Sequence, residues 1–389
     1  MGRGQTNDEV LERKIVAAVA RAAGEVRLLG AIAPVNAVSE LARVRTAFHA
    51  GTPVLPVFRY APDGDVELAT ALESLADGLS SPPADSVGVP GSSRTEPSQA
   101  AIRVRLFADR ARELALESRL ADAAGTPAFG ELAARRFAGH AGSLPRATAL
   151  ATSWLAEPPA TDDDGPALPS DGSDPGSLLS SMRRALDQRG VTFRVHVHEG
   201  LSALAATGDG FVLVAKGRAV TAEVTRRTVL HEILGHVEPR VRAATRGDPL
   251  LVLGTARGTD DQEGYALVLE ERHGHLGTRR RRELGARHMA ATWMREGADF
   301  VEVVRRLLGC ALTVDAATSI AARVFRGSSG RTPGAGREIV YLDAYVRVRE
   351  RLAASPDSED LLASGQVAED VLEDVERATR VGSLGRSLR

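Results

Sequence analysis

The stretch Thr221-Ala-Glu-Val-Thr-Arg-Arg-Thr-Val-Leu-His231-Glu232-Ile-Leu-Gly-His236-Val237 decides how this chain is read. Thr221 is placed to cap a helix whose body runs from Glu223 to Val237. Two histidines and an acid fall within six residues of that helix. In the commonest zinc-protease signature the histidines are four apart, which puts both imidazoles on one helical face. Here they are five apart, and on a regular α-helix that spacing separates them by roughly 140°. A one-residue π-bulge between them absorbs the extra residue and restores a common face. Gly235, just before His236, eases the backbone adjustment. The spacing therefore predicts an irregular helix carrying a metal site.

Chance clustering is the plain alternative in a chain with nine histidines. Against it stands the apolar setting, Val229-Leu230 before the pair and Ile233-Leu234 within it. Such residues suggest a helix packed in the core, where unpaired charge is costly and a divalent metal supplies a partner. A hydrolytic zinc commonly takes three protein ligands and keeps one position for water. Downstream lies Thr259-Asp-Asp-Gln-Glu263-Gly-Tyr-Ala266 at the start of a helical pattern. Glu263 is the first choice for the third ligand, with Asp260 and Asp261 as alternatives. Glu232 is then free to polarise the zinc-bound water and pass its proton to the leaving amine. Two nitrogens and a carboxylate favour Zn²⁺.

The other histidines read differently. His273 and His275 sit where a helix ends before Gly277 and read as solvated. His196 and His198 share one face of a strand and read as structural or rim residues, although an edge strand beside a peptidase metal often holds substrate backbone. Arg279 to Arg282 reads as a solvated face.

Around the motif, Val191 to His198 alternates as a half-buried strand, and Phe211–Ala215 follows the turn at Gly208-Asp209-Gly210. Helices are expected at Leu178–Arg189, Asp261–His273, Arg281–Arg295, Phe300–Leu308, Asp315–Phe325 and Val340–Ala353. The fold class is α+β, a small sheet packed against a mostly helical body. Residues 7–155 form an N-terminal helical portion and 177–389 the zinc-binding catalytic core. Two stretches rich in Ser, Pro, Gly and Asp interrupt the pattern. Residues 80–99 read as a flexible insertion and 157–176 as a flexible linker.

Composition narrows the function classes. The formal charge of −2 argues against a dedicated nucleic-acid or membrane-surface binder. Lysine occurs only at Lys14 and Lys216, so lysine-nucleophile chemistry has almost no candidates; the Arg- and Ala-rich composition looks like a GC-rich bacterial coding sequence. Cys310 is the single cysteine, which excludes an internal disulfide and a thiolate zinc site. No apolar run approaches the roughly 20 residues of a membrane span, and no hydrophobic signal region opens the sequence. The chain reads as cytoplasmic.

His-Glu-Ile-Leu-Gly-His at 231–236, followed by Gln262-Glu-Gly-Tyr-Ala266, resembles the microtubule-associated tyrosine carboxypeptidases and their bacterial relatives with a Gln-Glu-Gly-Leu-Ala motif. That family carries the five-spaced histidine pair. Arg323-Val-Phe-Arg-Gly327 and Arg337-Glu-Ile-Val-Tyr341-Leu are similar to its later segments, and Leu29–Asn36 and Pro53–Tyr60 to its opening region. The resemblance covers most of the chain, which makes residues 1–389 one catalytic unit with insertions. It implies a zincin-like domain, Zn²⁺ held by His231, His236 and Glu263, and removal of a C-terminal residue, aromatic in eukaryotic members. Such an enzyme needs a cation for the substrate's terminal carboxylate, and Arg323, Arg326 and Arg337 are the candidates. Tyr341 is placed to donate to the developing oxyanion. Arg337 stands where the family has lysine, Glu338 where it has aspartate and Tyr265 where it has leucine.

The leading expectation is thus a zinc carboxypeptidase whose substrate is a peptide or protein C-terminus. A dedicated peptide or amide hydrolase of a natural-product pathway is the close variant. A metal-binding regulatory protein without catalysis is the reading from another class, and retention of Glu232 argues against it.

Overall fold

A computed structural model describes residues 7–80, 97–159 and 165–379. Within them the chain is helical with a small sheet, the expected α+β class. Residues 81–96 of the expected insertion and 160–164 of the expected linker lie outside the described residues. No helix among those described is long and apolar enough to cross a membrane.

The helical body opens with Asn7–Glu25, where Ile15 and Val19 are fully buried. It packs with Val66–Ser80 against the long helix Gln99–Asp122. One apolar cluster runs from Ile15 through Phe107, Phe129 and Trp154 to Tyr345 and Val375, so the N-terminal helices and the C-terminal ones share a core. A second, smaller cluster joins Leu178, Met182, Val212 and Val214 to Ile233 and Val237.

The described residues form two small sheets, and the three-stranded one supplies Ala205, Val212 and Val214 to this smaller cluster. Strand β1 (Ala167–Pro169) pairs antiparallel with β5 (Ala219–Thr221). Strands β2 (Arg194–His198), β3 (Ala205–Gly208) and β4 (Phe211–Ala215) form a three-stranded sheet of order β2-β4-β3. β2 runs parallel to β4, and β3 and β4 form a hairpin across Asp209-Gly210. Val212 and Val214 alternate into the core from the central strand. The sequence missed β3, which is short and lacks β-branched residues apart from Thr207. It also read 165–176 as a connection without regular structure. That expectation is corrected: β1 forms there, and Ser170 is fully buried with its hydroxyl donating to the Ala215 carbonyl.

The histidine helix (Ala222–Glu232) begins at Thr221, whose Oγ1 accepts from Val224 N at 3.4 Å. It continues as a π-turn over Ile233–Val237 and then as an α-helix, Glu238–Arg246, with Pro239 in its first turn. The expected irregularity lies between the two histidines. Gly235 has a different job from the one expected. Its φ is not positive, but a Cβ there would lie 2.5 Å from Ala266 Cβ, so a side chain would push apart two touching helices. The partner is the glutamate helix (Gly258–Arg272), which packs in turn along the tyrosine helix (Ile339–Ala354). Gly264 allows that second approach, since a Cβ would meet the Ala344 backbone at 2.5 Å.

Candidate metal centre

The two glycine contacts draw the π-turn and the glutamate helix together, and Glu263 meets the histidines at that junction. Its Oε2 lies 3.3 Å from His231 Nε2 and 3.7 Å from His236 Nε2. The ligand atoms of the three residues all fall within 4.8 Å of one another, forming a group that can hold a metal ion. Zinc bonds of about 2.0–2.2 Å place tetrahedral donors roughly 3.3–3.6 Å apart, close to the two distances from Glu263, so the donor set suits the ion in chemistry and spacing. Burial opposes the ionised form of Glu263. Hydrogen bonds from His231 and His236, with the charge of Arg337, outweigh it and hold the carboxyl well below its usual range. His231 responds in the opposite sense. Burial disfavours its cation, but the carboxylates of Glu263 and Glu270 push it up to about 10.

The alternatives for the third ligand point elsewhere. Asp260 pairs with Arg136 at 2.8 Å, and Asp261 takes both arms of Arg347. Both are buried at the start of the glutamate helix, and neither belongs to the group formed by His231, His236 and Glu263.

Each histidine leans on a second residue of the glutamate helix. His236 Nδ1 lies 3.0 Å from Gln262 Oε1, which also accepts from Arg240 at 3.2 Å. His231 Nδ1 lies 2.8 Å from Glu270 Oε1. Glu270 escaped the sequence reading, although it stands seven residues, two helical turns, beyond Glu263 and so on the same face. Glu232 is outside the triad; its Oε2 accepts from Thr207 Oγ1 on β3 at 2.7 Å. Thr207 was also missed, together with its strand.

Arg337 and Tyr341 come to the same place. Arg337 reaches Glu263 Oε1 at 3.0 Å and donates to the Tyr341 hydroxyl at 3.0 Å. Arg323 pairs with buried Glu338 at 3.0 Å, and Arg287 holds the other oxygen of Glu338 while stacking 4.3 Å from the Tyr341 ring centroid. Burial raises the carboxyl of Glu338, but Arg287 and Arg323 bring it down to about 2. Arg326 gives its hydrogen bond to a neutral group, the Ser202 hydroxyl on the β2–β3 connection. Burial and the like charge of Arg323 lower Arg326 to about 10.

A model of the family described as microtubule-associated tyrosine carboxypeptidase matches residues 48–387. The chain belongs to that family. A comparison with curated proteins gave no match. Membership supports a carboxypeptidase-like peptidase activity with a peptide or protein as substrate.

Two readings of basic and histidine residues are corrected by the geometry. Arg279 is exposed, but Arg280 to Arg282 do not form a solvated face: Arg280 is buried against Glu270, Arg281 takes both oxygens of Glu157 at 2.7 and 2.8 Å, and Arg282 caps the carbonyls of Leu155 and Cys310. His275 is not merely solvated, since its Nδ1 lies 2.7 Å from Glu223 Oε1; His273 Nδ1 turns back to the Leu269 carbonyl at 2.9 Å. His196 and His198 are exposed on β2, whereas the strand beside Glu232 is β3, at the opposite edge of the sheet.

Proposed function

We propose that this chain is a zinc carboxypeptidase with a zincin-like core, removing the C-terminal residue of a peptide or protein. The observation that carries the reading is the convergence of His231, His236 and Glu263 within 4.8 Å at a π-turn, beside a glutamate that is not part of the group. Zinc held by these three residues would lower the pKa of a water and polarise the scissile carbonyl. Glu232 takes the water's proton on its carboxylate and delivers it to the leaving amine. Thr207, donating to Glu232 Oε2 at 2.7 Å, keeps that carboxylate oriented. Arg337 holds Glu263 at 3.0 Å and directs the Tyr341 hydroxyl, which donates to the oxyanion as it forms.

The terminal carboxylate goes to Arg326, supported by Arg323. Arg337 has its charge committed to Glu263, and Arg323 to Glu338. Among the described residues Arg326 donates to a hydroxyl alone, so an incoming carboxylate would exchange a neutral partner for a charged one. The preference for an aromatic last residue follows the family description and is the finer part of the proposal.

The test is hydrolysis of a peptide library with free and amidated C-termini by wild type and Glu232→Gln, with metal content measured in both. The expected result is stepwise release of C-terminal residues from free-acid peptides by zinc-loaded wild type. Glu232→Gln should retain zinc and lose turnover. Zinc-loaded wild type that cleaves nothing in the library defeats the enzyme reading.

A further inference from the structure

We propose that Arg280, acting through Glu270, is a positioning residue that fixes the ring of His231 for the metal. This rests on the metal-centre reading above.

The geometry begins with one helix gripping both edges of one imidazole. Glu263 Oε2 faces His231 Nε2 at 3.3 Å, and Glu270 Oε1 faces His231 Nδ1 at 2.8 Å. A ring with an acceptor at Nδ1 keeps its proton there and turns the Nε2 lone pair toward Glu263 and His236. Whether the ring holds that attitude depends on Glu270 staying still. Glu270 is fully buried and held by Arg280 in a fork: Nε lies 2.9 Å from Oε2 and Nη2 lies 3.0 Å from Oε1. Both carboxylate oxygens are therefore fixed, one of them shared between the guanidinium and the imidazole.

Arg280 is anchored in turn. Its remaining arm reaches Glu283 Oε2 at 3.0 Å, one turn along its own helix (Thr278–Arg295), and only 8 % of the residue is exposed. A buried ion pair contributes little net stability compared with apolar packing of the same volume. What the fork supplies is direction, because a planar bidentate contact restrains the carboxylate in rotation as well as distance. The two histidines also differ in this respect. His236 leans on the amide of Gln262, whereas His231 leans on a carboxylate, which makes it the more strongly donating imidazole.

The test uses the full chain as Glu270→Gln, Arg280→Gln and Arg280→Lys. Folding of each metal-free protein is checked by circular dichroism and thermal melting. Zn²⁺ affinity is read by competition with a chromophoric chelator, and the site's symmetry from the visible spectrum of bound Co²⁺. Glu270→Gln and Arg280→Gln are expected to lose about 10- to 100-fold in Zn²⁺ affinity and to alter the Co²⁺ spectrum. Arg280→Lys should recover part of the loss, since an ammonium can still reach one oxygen of Glu270. At saturating zinc the KM for peptide should stay at the wild-type value while kcat falls. Folded variants with wild-type affinity and an unchanged Co²⁺ spectrum would overturn the proposal. If Arg280→Gln does not fold, Glu270→Gln, which keeps size and shape, decides the matter. Failure of both to fold even in excess zinc would assign the pair to stability and overturn the positioning role. A wild type that binds no divalent metal would defeat the metal-centre reading instead.

Discussion

His231 concentrates the chemistry of the site at the scale of one residue. Without metal it is an imidazolium between Glu263 and Glu270, raised to about 10 from an ordinary value near 6.5. A raised folded-state pKa contributes stability that is fully present below about pH 6.5 and is lost as pH rises through about 10. Metal-free protein should therefore become less stable over that window, measured as the urea midpoint against pH. Because metal and proton compete for the same nitrogen, zinc binding near pH 7 should release a proton, and affinity should rise with pH. Calorimetry in buffers of different ionisation enthalpy counts that proton. Arg326 carries the other prediction at this scale. Arg326→Gln should raise KM for free-acid peptides by on the order of 30-fold or more, since losing one partner of a buried charge pair costs about 2 kcal/mol or more. Amidated peptides, which bring no terminal charge, should be insensitive to the change.

Among the elements, the π-turn decides the site. Its place was legible because a five-residue spacing cannot serve one face of a regular helix, a local argument that needs no tertiary knowledge. The reason for Gly235 was not legible, because it lies on another helix: Ala266 occupies the space a side chain would need. Glu270 and Arg280 were missed for the same reason. Helical periodicity says which residues share a face, whereas the contacts among His231, Glu270 and Arg280 join three helices across 49 residues of sequence. Gly235→Ala should destabilise the protein by about 1–3 kcal/mol through overpacking. Ala266→Gly opens the opposing surface and should recover part of that loss in a double-mutant cycle, despite its own helix cost of about 1 kcal/mol. Chemical denaturation of the four proteins measures the coupling, and additive effects would show that the two positions do not press on each other.

Over the whole molecule, the candidate centre lies where the two apolar clusters meet. Ile233 and Val237 of the π-turn pack into the smaller cluster with Leu178, Met182, Val212 and Val214. Leu230 and Leu234 lie against the larger one, to which Tyr265 and Leu267 of the glutamate helix belong. The fold class was readable because long helices declare their period and two of the strands alternate, but the division of apolar residues between two clusters is a property of packing alone. A ligand set drawn from both sides of this junction makes metal binding a bond between the clusters. Anything that binds only the folded state stabilises it by RT ln(1 + [L]/Kd), about 2.7 kcal/mol at a hundred times Kd. Zinc at that concentration should stabilise wild type by this amount in denaturant titrations, and chelation should reverse it. Glu263→Ala removes the member of the three-residue group that the glutamate helix supplies and should abolish the zinc-dependent shift. Asp260→Asn and Asp261→Asn, which disturb the ion pairs with Arg136 and Arg347 and, at Asp261, the bond accepted from Glu369 N, should lower stability with and without zinc alike and leave the shift intact. Were the shift to survive Glu263→Ala and vanish in either aspartate variant, the third ligand would have to be reassigned to that aspartate.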